Sequence, residues 1–297
     1  MKLGVCCVYF YGPDSGWLLD LQLRYVASTL VGYDYTLYAG VNRLLPELRS
    51  TLVGRPNIRV VSLPWFEGEG SMEHAFYLDL LLRQAAEDGC THLATLDADS
   101  FPVMPDWPNV LLQRMDHMRL AAVLRAESRD EWLPHPSGLF MQRSFLLEHS
   151  PRMFPTKRDR RSNTSFQRFL HETGQRPDTG IGYGYALWKS QEPWLPLVRS
   201  NQRNLHFLMA GIYAGVFFHL GASSRRPWFY IDSKTRLSLR IGAALSRIPM
   251  IWRAGPWLEE RYIASNGRIF AAIVGSLRSD PDRFLSSLQG FEAAAER

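Results

Sequence analysis

Strand-like and helix-like runs alternate from Leu3 to Leu96, and this alternation limits the chain more than any other feature. The pattern predicts strands at Leu3–Phe10, Tyr35–Ala39, Ile58–Leu63 and Thr91–Leu96. Helices are expected at Trp17–Leu30, Leu44–Leu52 and about Met72–Glu87, the last stopped by Asp88-Gly89. Short connections between such runs favour a sheet flanked by helices. In sheets of this kind, ligands bind beyond the carboxyl ends of the strands. At one of those ends stand Asp97, Ala98 and Asp99. Two carboxylates one residue apart, where a buried strand leaves a sheet, suit a hard divalent cation such as Mg²⁺ or Mn²⁺. Such ions are commonly held by one or two carboxylates together with substrate phosphates. The plainer alternative is a strand-to-loop turn, for which Asp is well suited.

At 297 residues the chain can bury a full core, and 46% hydrophobic with 21% charged residues is ordinary for a globular protein. The net charge is a mild +5, made up of 30 arginines and 4 lysines against 29 acids. Arginine's planar fork suits phosphate, yet no nucleic-acid-binding module accompanies it, so no nucleic-acid partner is expected. Cys6, Cys7 and Cys90 lie in apolar runs without metal spacing and read as reduced core residues of a cytoplasmic protein. The first ten residues read as a strand followed by the turn Gly12-Pro13-Asp14-Ser15-Gly16, not as a leader. The apolar stretch Leu205–Ala222 is interrupted by Gly211 and Gly215 and bracketed by His206 and His219, which favours strand and turn over a membrane span.

After Ser100 the prolines Pro102, Pro105 and Pro108 break regular structure. A helix at Asn109–His117 and strands at Leu120–Ala126 and Gly138–Gln142 follow. Pro151–Thr164, with Lys157-Arg158-Asp159-Arg160-Arg161, reads as a mobile surface loop able to cover a phosphate-bearing site. Beyond Ser223, Arg236, Arg240 and Arg247 share a helix face beside Leu237, Leu239, Ile241, Ala244 and Leu245. That basic amphipathic pattern fits peripheral contact with an anionic membrane, or a helix packed on the catalytic domain. Three regions are expected: 1–103, 104–224 as the other half of the same domain, and a basic, mainly helical extension at 225–297.

The alternating half ending in Leu96-Asp97-Ala98-Asp99-Ser100-Phe101-Pro102 resembles nucleotide-sugar glycosyltransferases of the GT-A fold. Ser71-Met72-Glu73-His74-Ala75-Phe76-Tyr77-Leu78-Asp79 is similar to the helix that precedes that family's D-x-D motif. Tyr213–Ser224, with Phe218-His219-Leu220-Gly221, resembles its late strand ending in a metal-binding His. The resemblance implies an α/β fold with a Rossmann-like mixed sheet flanked by helices. It also implies Mn²⁺ or Mg²⁺ on Asp97, Asp99 and His219, with Asp99 the direct ligand and Asp97 reaching the ribose or the metal through water. The donor would be a nucleotide-diphosphate sugar contacting Tyr9, Phe10, Tyr11, Tyr38, Ala39, Gly40, His74, Asp97 and Ala98. The acceptor would be a glycan or a lipid-linked molecule at the inner membrane face, and hexosyl transfer the expected chemistry.

An inverting transfer needs a base for the acceptor hydroxyl. Asp178, in the glycine-rich Arg176–Tyr185, is the candidate, with the glycines allowing close backbone approach to a sugar. His135–Phe140, with Trp132 as a stacking platform, is a second wall. Whether the transfer retains or inverts is left open, and retention would leave Asp178 without that role. A sugar-nucleotidyltransferase is the alternative enzyme, disfavoured by Asp14 where a base would face a triphosphate. A non-catalytic nucleotide- or glycan-binding protein on the same fold is the third reading. No G-x-S-x-G elbow or P-loop lysine motif supports a hydrolase or a Walker-type kinase.

Overall fold

The structure is a computed structural model and describes residues 1–11, 15–68, 70–125, 133–221 and 254–290. The expected Gly12–Gly16 turn falls largely outside these residues, and Trp132, Ser223 and the basic segment bearing Arg236, Arg240 and Arg247 fall wholly outside. The chain divides into two compact units, Met1–Ser200 with Ile212–His219, and Asn201–Gly211 with Leu220–Arg297.

The first unit is built on strands β1 (Lys2–Tyr9), β2 (Asp34–Val41), β3 (Ile58–Ser62), β4 (His92–Leu96), β6 (Leu120–Val123), β7 (His135–Gln142) and β8 (Leu195–Leu197). They form one seven-stranded sheet in the order β3-β2-β1-β4-β7-β6-β8. β1 to β4 run parallel; β7 is antiparallel to both β4 and β6, so the sheet is mixed. This is the α/β architecture expected from the alternation. Crossovers are made by α1 (Gly16–Thr29), the short α2 (Pro46–Ser50) and α3 (Ser71–Glu87), and α4 (Trp107–Met115) and α5 (Arg143–His149) follow. The expected Leu44–Leu52 helix shrinks to five residues because Pro46 sets its first turn.

Burial follows the sequence pattern. Leu3, Val5, Cys6 and Cys7 of β1 are fully buried, and α3 presents Leu78, Leu81, Leu82 and Ala85 to the sheet. A Cβ on Gly4 would stand 2.8 Å from the Ala85 Cβ, so glycine lets α3 lie close on β1. All three cysteines are buried and free, as expected.

Asp79 of α3 is the acid in this setting. Its two oxygens accept the Met153 N–H at 3.0 and 3.2 Å. Burial pushes its pKa up to about 7, against the pull of that hydrogen bond and of Arg83 and Arg152. The folded chain therefore holds a proton that the unfolded chain has released. Its stabilising effect is complete below about pH 4 and is lost as pH rises to about 7. Asp79→Asn should gain roughly 2 kcal/mol on the parent between about pH 4 and pH 8, the full shift being halved for the carboxyl's partial access to water. Urea unfolding of both proteins across that range measures it. Parallel pH profiles would mean that Asp79 is ionised throughout.

A second, three-stranded sheet has the order β5-β10-β9, from β5 (Ser100–Pro102), β9 (Gly211–Tyr213) and β10 (Phe217–His219). The proline-broken stretch after Asp99 thus begins as a strand, with Pro102 at its end opposite Phe217. Leu205–Gly221, the described part of the apolar stretch, does not form a helix. It breaks into these two short strands around Ala214 and Gly215, both at positive φ. No helix among the described residues is long and apolar enough to cross a membrane.

Pro151–Thr164 is not a structureless loop. It contains α6 (Lys157–Ser162), followed by α7 (Thr164–Thr173). Thr156 and Asp159 form a reciprocal cap at the start of α6. In the second unit, α9 (Ala254–Ser279) leads to α10 (Pro281–Gln289). Asp280 caps α10 by accepting the Arg283 N–H at 3.0 Å, and Gly290 ends it in the left-handed region.

Candidate functional site

β4 stops at Leu96, and the next residues turn over the carboxyl ends of β1 and β4. The turn is closed by Ser100, whose Oγ accepts the Asp97 N–H at 2.9 Å and whose N–H donates to the Asp97 carbonyl at 3.0 Å. Tyr11, just beyond β1, donates its hydroxyl to the Ala98 carbonyl at 2.5 Å. From α1, the fully buried Gln22 donates its amide to the Asp97 carbonyl at 2.8 Å and the Ser100 carbonyl at 2.6 Å. Both carboxylates are therefore carried on a turn fastened from three sides.

β10 then supplies the histidine. It pairs antiparallel with β5 so that His219 stands opposite Ser100. His219 Nε2 lies 3.3 Å from Asp99 Oδ1 and 3.6 Å from Asp97 Oδ2. Asp99 and His219 are each 6% exposed. One ligand atom from each of Asp97, Asp99 and His219 can be chosen so that all lie within 4.8 Å of one another. Asp97 Oδ1 is buried and accepts no hydrogen bond. Burial, with some help from Asp99, raises the Asp97 carboxyl above the usual carboxylate range, while His74, His219 and Arg125 oppose the shift. A buried and a half-buried acid side by side, with one oxygen left over, suit a cation. Two carboxylates and an imidazole form a donor set that fits Mn²⁺ or Mg²⁺.

More groups surround this trio than the motif suggests. His74, in the first turns of α3, has Nε2 3.6 Å from Asp97 Oδ1, so it faces the carboxylate itself. His135, at the start of β7, stacks obliquely 5.8 Å from the His219 ring and lies 3.3 Å from Arg125 Nη1. Burial holds the His135 imidazole well below its ordinary pKa, with Arg125 reinforcing the effect. The residue read as an acceptor wall is thus a neighbour of the metal-type cluster.

The other expected donor contacts separate. Tyr9 and Tyr11 are buried at the end of β1, with ring centroids 5.8 Å apart, and Phe10 between them is 61% exposed. Tyr38 does not join them. Its hydroxyl bonds Asp88 Oδ2 at 2.7 Å, where α3 ends before β4 begins, and its ring is core. Ala39 is fully buried two residues before the end of β2, opposite Cys7, and Gly40 leaves room for Leu63 and Leu81.

Asp178 is half-buried. Its Oδ1 accepts from Ser71 Oγ and from the Thr179 N–H, both at 2.8 Å. Ser71 opens α3 three residues before His74, so one helix turn carries contacts to both Asp178 and Asp97. The glycines after Asp178 approach the chain's own backbone, not an open sugar site. They begin α8 (Ile181–Ser190), where a Cβ on Gly180 would stand 2.1 Å from the Pro134 carbonyl oxygen and one on Gly182 1.8 Å from that of Arg152.

A second grouping, Glu148, His149 and Glu192, also has metal-like spacing. Arg119 already fills it, at 2.6 Å from both Glu148 Oε2 and Glu192 Oε1. It is set by the far end of β7, where Gln142 pairs with His92 at the start of β4.

Gln22 carries no motif, but it is a polar residue on an otherwise apolar helix stripe with Leu18, Leu19, Tyr25 and Val26. Gln22→Leu should remove both donors from the turn and, if the Asp97–Asp99–His219 cluster holds a cation, weaken Mn²⁺ binding there about tenfold. Taking the amide from the Ser100 carbonyl, and one of several donors from the Asp97 carbonyl, should also cost about 1 kcal/mol of stability. Calorimetric Mn²⁺ titration tests this; unchanged affinity would mean that Ser100 and Tyr11 hold the turn without it.

Similar solved structures include a mannosyltransferase from Pyrobaculum calidifontis in complex with GDP-Man and Mn²⁺, 12% identical over 98% of this chain and 84% of that one, with a TM-score of 0.45. The galactosyltransferase LgtC, with donor and acceptor sugar analogues, is 12% identical over 61% of this chain and 69% of that one, at 0.36. S. aureus TarS in complex with UDP-GlcNAc is 12% identical over 52% of this chain, at 0.38, and the match spans about half of TarS (49%). At these scores the likeness is one of outline, and the chemistry rests on the side chains themselves. No protein-family profile matches the chain, and no curated sequence does.

Proposed function

We propose that the chain is a metal-dependent glycosyltransferase of the GT-A type, moving a sugar from a nucleoside diphosphate to an acceptor hydroxyl. The observation that carries this reading is the meeting of Asp97, Asp99 and His219 at the carboxyl end of β4. Asp97 and Asp99 would hold Mn²⁺ or Mg²⁺ through carboxylate oxygens and His219 through Nε2. A cation there would neutralise the charge gathering on the departing diphosphate. Phe10, between the buried Tyr9 and Tyr11, offers an exposed aromatic face for the nucleoside, and His74 keeps Asp97 in place from the α3 side. Residues 1–103 form the donor half in this reading and 104–224 the acceptor half.

Asp178 is the proposed general base for an inverting transfer. Both of its hydrogen bonds fall on Oδ1, which orients Oδ2 as the oxygen to take the acceptor's proton. Three buried free cysteines suit a reducing, cytoplasmic setting.

Thermal unfolding against a panel of nucleoside diphosphates and their hexose conjugates, each with and without Mn²⁺, tests the proposal. A ligand at about 100 times its Kd adds roughly 2.7 kcal/mol, a rise of about 5–10 °C for a domain of this size. One base stabilising only in the presence of Mn²⁺ would support the reading and name the donor. Silence from every nucleotide would sink it.

A further inference from the structure

Arg152, Lys157, Arg158 and Arg161 are exposed on one short stretch that the proposed chemistry leaves unused. Lys157 and Arg161 stand four residues apart on α6, and Arg158 and Arg161 three apart, so the three bases are neighbours on its surface. Like charges at this spacing destabilise a helix. Little offsets them locally. Asp159, the acid of α6, is engaged by Thr156, accepting its N–H at 3.1 Å and its hydroxyl at 2.7 Å. Those bonds hold the Asp159 carboxyl below its usual range, with Arg152 and Arg158 adding to the effect, so both arginines lie close enough to feel the same acid. On α7, Glu172 is taken by Arg168 at 2.6 Å.

The stretch is fixed from behind. Pro151, Met153 and Pro155 are buried, and Phe154 packs on Leu133, Phe166, Phe169 and Ile181. The Gly180 N–H donates to the Met153 carbonyl at 2.8 Å, which joins the basic stretch to the start of α8, two residues from Asp178. The chain that leads into α6 is therefore tied to the segment carrying the residue proposed to receive the acceptor's proton.

We infer that this face binds a polyanionic acceptor, a glycan or polyol chain carrying phosphate or carboxylate groups, with its reacting hydroxyl at Asp178. Several bases spread along a helix and the turn before it match a row of charges, and arginine forks suit phosphate and carboxylate oxygens. A lipid surface fits less well, because the apolar side chains of the stretch point inward and leave none to enter a bilayer interface. The acceptor part of this inference rests on the glycosyltransferase reading; the anion-binding part does not.

The test uses the full chain and fluorescently labelled inorganic polyphosphate as probe, with neutral dextran and phosphatidylglycerol vesicles as comparisons. The triple variant Lys157→Gln, Arg158→Gln, Arg161→Gln should bind polyphosphate at least about tenfold more weakly, with a shallower salt dependence. Removing an equal charge elsewhere, by Arg49→Gln, Arg55→Gln and Arg114→Gln, should leave affinity near that of the parent. Equal losses in the two triple variants would make the effect one of net charge and overturn the inference. So would vesicle binding without polyphosphate binding, or equal binding of neutral dextran. Polyphosphate binding that depends on these bases, in a protein deaf to every nucleotide, would support the anionic surface and remove only the transferase reading.

Discussion

Asp99→Asn is expected to weaken Mn²⁺-dependent nucleotide binding about a hundredfold or more. Replacing a ligand should cost at least as much as the ten- to hundredfold seen for groups that merely support ligands. The amide keeps the shape of the carboxylate, and with Asp99 only 6% exposed a change of shape would be felt throughout the turn. What is lost, in the proposed site, is one of two negative charges that would face the same cation. Without metal, the variant should melt no lower than the parent, since Asp97 then has one fewer buried charge beside it. Calorimetry of nucleotide with and without Mn²⁺, alongside a ligand-free melt, separates the two effects. A variant that folds and still answers to Mn²⁺ like the parent would place the cation elsewhere.

The second large effect is on stability. Gly182→Ala should cost about 3 kcal/mol and lower the melting temperature by roughly 6–12 °C. The new methyl would stand 1.8 Å from the Arg152 carbonyl oxygen and 2.9 Å from its carbon. Neither side can yield cheaply. Arg152 precedes Met153, whose N–H is held by Asp79 and whose carbonyl accepts from Gly180. The substitution thus forces apart the contact that seats α8 beside the basic stretch. A melt indistinguishable from that of the parent would show that the two segments are not packed this closely.

The parts of the molecule legible in the sequence are those with a repeating signal. The strand–helix alternation through Leu96 placed the sheet, and the carboxylates at the end of its fourth strand were visible as a pair. His219 was legible only by resemblance, because β10 is three residues long and too short to show a period. Its pairing opposite Ser100 brings it to Asp99, and that is a tertiary fact. Tyr38 was misplaced because position along a strand does not say which end of the sheet a long side chain reaches. The glycines after Asp178 drew attention as an opening for sugar, yet the backbone they admit is the protein's own. The cap of α6 was present as Thr156-Lys157-Arg158-Asp159, hidden by a charge run that reads as solvated loop.

Gln22 ties the affinity of the site to the integrity of the fold. A single amide from the middle of α1 bonds the carbonyls on both sides of the Asp97–Asp99 turn. The carboxylates are therefore set in position when α1 docks, before any cation or nucleotide arrives. Capture of the cation then requires little ordering of the turn, and the entropy of fixing it belongs to folding. Substitutions that loosen α1, even at Leu18 or Val26, should erode cation affinity and heat resistance together. With the proposed cation on this turn, the two would change as a single trait, so a variant selected for one should show a change in the other.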